Sequence, residues 1–154
     1  MKKYSRVLLC LIVITVMALV GCKTTTSKSY TYSVETGDEI VLKLDTSGDY
    51  DITYEIPFKI TKGEESLSQG TFIKGEAYSI YVESIDDEPQ AEVIDSGTKG
   101  ECEFTMWKFN AADHTEYNYV ILINNSNTGV LLANDVSEES AKECFDRLEI
   151  NLAE

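Results

Sequence analysis

Ile52-Thr53-Tyr54-Glu55-Ile56-Pro57-Phe58-Lys59-Ile60 is the longest run in this chain in which apolar and polar side chains alternate. Successive side chains on a strand point to opposite faces, so this spacing predicts a half-buried strand. Ile52, Tyr54, Ile56, Phe58 and Ile60 would share its inner face. Pro57 has no N–H for the ladder, so the strand is expected at a sheet edge or bulged at that residue.

The same period of two recurs on both sides. Upstream, Tyr30, Tyr32 and Val34 alternate up to a Gly37-Asp38 turn, and Ile40, Leu42 and Leu44 follow. Downstream, Thr61 to Ser68 reads as a polar turn around Gly63. Strands are then expected at 71–74 and 77–83, the second with Tyr78, Ile80 and Val82 on one face. Asp86-Asp87-Glu88-Pro89 marks an acidic turn, and Ala91 and Val93 a short strand. Cys102, Phe104 and Met106 share one face of the next strand, with Trp107 and Phe109 on the other. Residues 117–123 are apolar on both faces, as in a central strand. A turn at 124–129 leads to a short strand at 130–133, and Ile150 and Leu152 suggest a last one.

One helix is expected, late in the chain. Ala141, Cys144, Phe145 and Leu148 recur at i, i+3, i+4 and i+7. Asp135 or Ser137 is placed to cap it, and Glu138/Lys142 and Glu143/Arg147 are favourable pairs on its wet side. Roughly eight strands and this helix point to a mainly β chain: an antiparallel β-sandwich-like domain with one C-terminal helix packed on it. An α+β layer is the alternative.

The start of the chain reads differently. Met1-Lys2-Lys3 and Arg6 precede an apolar run from Val7 to Val20, which ends in Leu19-Val20-Gly21-Cys22. The run is short for a membrane span, which needs about 20 residues, and suits the core of a signal peptide. The tetrad resembles the lipobox of bacterial lipoproteins. That resemblance implies cleavage between Gly21 and Cys22, with lipid on the Cys22 thiol and acylation of the new amine. An uncleaved anchor is the other reading. The expected organisation is a signal peptide at 1–21, a lipidated cysteine and polar tether at 22–29, and one β-rich domain at 30–154. The resemblance places the protein outside the cytoplasm, lipid-anchored to the bacterial cell membrane or outer membrane.

The chain has a formal charge of −14, which becomes about −17 once Lys2, Lys3 and Arg6 leave with the leader. Such a surface repels phosphate backbones, so nucleic acid is a poor partner. Cys102 and Cys144 are left over in a compartment where disulfides persist. They are expected to pair if the helix covers the strand face that carries Cys102, and otherwise to be two separate buried thiols.

Residues suited to chemistry are few. His114 is the only histidine, which excludes a metal site of several histidines, and two cysteines are too few for a structural zinc cluster. No Gly-x-Ser-x-Gly elbow or glycine-rich phosphate cradle is present. Asp45, Asp49 and Asp51 flank Gly48 at alternating offsets and form a candidate Ca²⁺ loop, although one shorter than the twelve-residue calcium loop. Asp86-Asp87-Glu88 is a second acidic loop. Of nine tyrosines most lie in predicted strands, and Tyr30, Tyr32, Tyr50, Tyr78, Tyr81, Tyr117 and Tyr119 are the candidates for an exposed stripe. An exposed stripe of them would suit a protein or glycan partner. The leading expectation is a non-enzymatic, lipid-anchored envelope protein that binds such a partner. The alternatives are an assembly accessory of an envelope complex and a small carboxylate-dependent hydrolase.

Overall fold

The computed structural model describes residues 26–153, which form ten strands and two helices. In chain order they are β1 (Ser27–Ser33), β2 (Glu39–Asp45), β3 (Tyr50–Ile52), β4 (Phe58–Lys62), β5 (Glu65–Lys74), α1 (Ala77–Asp87), β6 (Ala91–Lys99), β7 (Cys102–Asn110), β8 (Thr115–Ile123), β9 (Thr128–Asn134), α2 (Glu138–Arg147) and β10 (Leu148–Leu152). A small sheet runs β1-β2-β10 and a large one runs β3-β4-β5-β9-β8-β7-β6. Every pairing is antiparallel.

The chain is a β-sandwich-like domain with α2 packed on it. The alternating residues of β2, Ile40, Leu42 and Leu44, face Phe58, Ile60, Ile121, Ile123, Val130 and Leu132 of the large sheet in one core. Ala141, Cys144 and Phe145 of α2 close the same core. Burying each such aliphatic side chain contributes about 1.5–3 kcal/mol, the main favourable term holding the layers together. The helix starts at Ser137, whose Oγ accepts from Ser140 N at 3.1 Å. Its predicted pairs form: Lys142 Nζ donates to Glu138 at 2.6 Å, and Arg147 Nη2 to Glu143 at 3.1 Å. Buried Asn134 is satisfied at both ends. Its Nδ2 donates to Ser68 Oγ and Ser140 Oγ, and its Oδ1 accepts from Val136 N and Ser137 N.

Residues 77–83 are helix rather than strand. Tyr78, Tyr81, Val82 and Ile85 fall at i, i+3, i+4 and i+7, so the segment carries a helical stripe as well as the alternation of Tyr78, Ile80 and Val82. The stripe prevails: Ile85 is buried, whereas Ile80 is 61 % exposed. α1 packs against β5, β6 and β8. It lies on the face of the large sheet opposite α2, because Tyr78 Oη meets Thr105 Oγ1 at 3.2 Å and Thr105 alternates with core residue Met106.

The 52–60 series is not one strand. β3 ends at Ile52, β4 begins at Phe58, and the intervening residues form a hairpin loop with a cis Ile56-Pro57 bond. The expected turn at 61–68 is narrower, since β4 and β5 close around Gly63, whose φ of 58° suits glycine. Strand pairing also starts earlier than residue 30: Ser27, Lys28 and Ser29 of the expected tether pair with Asp45, Leu44 and Lys43.

The expected disulfide is absent. Cys102 and Cys144 are both buried free thiols. α2 does cover the face that carries Cys102, but Phe145 rather than Cys144 is turned toward that end. The Phe145 ring packs on Phe104 at 4.9 Å and stacks on Tyr119 at 4.3 Å. Cys144, one residue round the helix, faces Ser68 and Ser140. Cys102 Sγ donates instead to Ile150 O at 3.5 Å.

Candidate functional site

The residues missing from the long strand build the most distinctive surface feature. The 53–57 loop is closed at its base by Thr53 N donating to Lys59 O (3.0 Å) and Lys59 N to Thr53 Oγ1 (2.9 Å). With its neck tied, the loop holds Tyr54 and Ile56 outward, 58 % and 50 % exposed. Behind them stands an aromatic cluster. Tyr54 stacks on Tyr32 at 5.2 Å and leans on Tyr30 at 5.1 Å, and Tyr32 contacts Phe72 at 5.2 Å. Tyr32 Oη donates to Thr53 O at 3.1 Å, which fixes the cluster to the loop. Burial pushes the Tyr32 phenol up to about 12, so it remains a neutral donor at physiological pH.

Between this loop and the β1–β2 turn lies a groove of about 590 Å³, lined among others by Tyr32, Val34, Glu35, Ile56, Phe72 and Lys74. Its far wall is pinned. Asp38 Oδ2 accepts from Asn127 N and Thr128 Oγ1, both at 2.7 Å, and Thr36 Oγ1 meets Thr128 Oγ1 at 2.5 Å. On the α1 side, Pro57, Tyr81, Trp107 and Leu131 line a shallower recess of about 330 Å³. A concave, mostly apolar surface with fixed walls and a few polar groups at its rim is the usual form of a binding site.

No protein-family model matches this chain, and no curated protein matches it. The β-sandwich suits a binding domain, and no catalytic or metal-binding motif stands out among the described residues.

The candidate calcium loop already contains a cation. Arg147, at the end of α2, donates to Ser47 O at 2.9 Å and lies 3.6 Å from Asp45. Asp45 Oδ1 accepts from Ser47 N, and that bond holds its carboxyl below the usual range. Asp51 is turned away to Lys28 at 2.8 Å, which lowers its pKa in the same sense. Asp49 sits at φ 67° in the turn. The three carboxylates do not converge, and among the described residues no group of three His, Cys, Asp or Glu side chains is arranged to hold a metal. Of the Asp86-Asp87-Glu88 run, the first two residues end α1.

His114 bridges two neighbours, with Nδ1 2.7 Å from Asp113 and Nε2 2.9 Å from Glu116. The hydrogen bonds to Glu116 and then Asp113 raise its pKa. Burial pushes the Cys102 thiol up to about 11 and raises Cys144 as well, so neither is an activated nucleophile. Cys22 lies outside the described residues.

The tyrosines divide between structure and surface. Tyr50 is buried with Arg147 at 4.1 Å and Lys62 at 5.0 Å from its ring, and Tyr119 is buried against Phe145. Tyr54, 58 % exposed on the loop beside the groove, belongs to the alternating series that predicts a strand. Its signal in the sequence was the proline three residues on, which ends the alternation as a strand.

Proposed function

We propose that this chain is a lipid-anchored, non-enzymatic binding protein of the bacterial envelope, and that it seats a protein or glycan partner in the groove beside Tyr54 and Ile56. The observation that carries the reading is the tied loop. Two large apolar side chains are held in water on a closed loop, in front of a packed aromatic cluster. Exposed apolar surface of this kind stabilises the folded chain little and becomes favourable when a partner covers it. The lipobox resemblance of Leu19-Val20-Gly21-Cys22 supports anchoring, and two or more acyl chains make a stable attachment whereas one is marginal.

The test compares wild-type protein with a Tyr54→Ser/Ile56→Ser double variant, both expressed in the native envelope with Cys22 intact. The wild type is expected to retain one specific partner, crosslinked and recovered after moderate salt. The variant is expected to lose it while remaining folded, its melting temperature lowered only modestly by the lost Tyr54 contacts to Tyr32 and Tyr30. Equal recovery by both proteins would remove the groove from the account. For the anchor, labelled palmitate is expected on the wild type and absent from Cys22→Ala. Equal labelling of the two would refute lipid attachment at that residue.

A further inference from the structure

β5 is ten residues long, but its neighbour β4 has only five. Their ladder runs from Lys62 opposite Glu65 to Phe58 opposite Gly70. The next rung would set Pro57 opposite Thr71, and proline has no N–H to donate. The chain leaves the ladder at that point and enters the 53–57 loop. Thr71, Phe72, Ile73 and Lys74 therefore pair with β9 on one side, opposite Leu131 to Thr128, and with no strand on the other. Among the described residues, no backbone hydrogen bond from a loop or turn reaches these four. Bonding direction alternates along a strand, so two of the four present both N–H and C=O to the open side. That open side is a wall of the groove, since all four residues line it together with Tyr32 and Ile56.

We infer that the groove binds an extended, positively charged peptide segment of a partner protein, which adds to the sheet as a strand along Thr71–Lys74. This rests on the groove being the partner site. A row of main-chain donors and acceptors at a strand's two-residue repeat is complementary to another peptide backbone and supplies affinity without regard to sequence. Alternate side chains of the incoming strand would face the Tyr32-Phe72 side, where an apolar residue fits. The chain carries −14 overall; of the two charged residues that line the groove, Glu35 makes no ion pair among the described residues and Lys74 lies 3.9 Å from Glu76, so the surrounding field favours a cationic segment over an anionic one. The other end of the large sheet is more heavily guarded than this edge. β6 is broken by a register shift between Val93 and Asp95 and carries Glu92 and Asp95, features that blunt an edge. On the open edge the only charge is Lys74 at its end, and Thr71, Phe72 and Ile73 are uncharged strand-formers.

The experiment uses the full chain, isotopically labelled, in detergent micelles. The probe is a synthetic peptide that alternates valine with threonine and ends in lysines. Two further versions carry N-methyl groups on alternate residues, one in each phase. The unmodified peptide is expected to shift the amides of Thr71–Lys74 and to slow hydrogen exchange at two of them by about tenfold or more. One methylated phase should bind as well as the parent and the other not at all, because only one phase blocks the bonding edge. Equal binding of both phases, shifts centred on β6 or α1, or no shift at all would each overturn the inference. An N-acetylglucosamine oligomer is titrated in parallel. If it shifts the groove amides while the peptides do not, the peptide assignment fails and the groove reading survives. If the Tyr54→Ser/Ile56→Ser variant also keeps its native partner, the groove reading fails as well.

Discussion

The tip of the Phe58 ring fills the space where a side chain on Gly70 would begin: a Cβ built there would overlap Phe58 Cζ and lie 2.6 Å from both Cε atoms. These two residues form the last rung between β4 and β5. Phe58 is fully buried and leans toward Phe72 at 6.1 Å, so the contact links the end of the ladder to the aromatic cluster behind the groove. Gly70→Ala is expected to destabilise the protein by about 1–3 kcal/mol through overpacking, measured by urea unfolding. Adding Phe58→Leu should recover part of that loss by making room. A Gly70→Ala protein as stable as wild type would contradict the packing described.

α2 depends on the residue that caps it. Ser137→Ala removes the only side-chain cap on Ser140 N and is expected to lower stability by about 1 kcal/mol, whereas Ser137→Asp should be nearly neutral. Thermal melting of the two variants provides the comparison. Equal loss in both would mean that the hydroxyl's bond is not the reason serine stands there.

His114 makes a pH-dependent contribution of defined sign. Its folded-state pKa is raised above the ordinary 6.5 by the Glu116 and Asp113 carboxylates. The stabilisation is therefore fully present below about pH 6.5 and is lost as pH rises through the folded value. An NMR titration should place the His114 midpoint above 6.5, and His114→Gln should flatten stability across that window. A midpoint at or below 6.5 would show that the two carboxylates do not hold the imidazolium in solution.

The two core thiols should be silent in the native protein. In a chain carrying Cys10→Ser and Cys22→Ser, Cys102 and Cys144 are expected to react with a thiol reagent only after unfolding, and without prior reduction. Failure to react in denaturant until a reductant is added would reveal a disulfide and a different placement of α2.

Local periodicity carried most of the architecture. Ile40, Leu42 and Leu44 alternate and are buried, and Ala141, Cys144 and Phe145 of the predicted stripe are the face α2 packs inward, while Leu148, also buried, opens β10. Two stretches carry two local patterns at once. Tyr78, Ile80 and Val82 alternate while Tyr78, Tyr81, Val82 and Ile85 spiral, and only the sheet beneath decides between them. Tyr54 and Ile56 have the spacing of core residues, yet they sit on a loop because Pro57 cannot continue the ladder. The disulfide failed by one helical residue, since a stripe predicts which face is buried but not which member of it meets Cys102. The open edge of β5 was beyond local reading altogether, because it exists only through the order β4-β5-β9 and the unequal lengths of β4 and β5.

The claim on which the functional account depends is that the groove beside Ile56 is covered by a partner in the living cell. A photoreactive amino acid placed at residue 56, at residue 73 or at Ile80, which is exposed on α1, tests it directly. Crosslinking from 56 and 73 to the same single envelope protein, with none from 80, is the predicted result. The same products from all three positions, or none from 56 and 73, would contradict it.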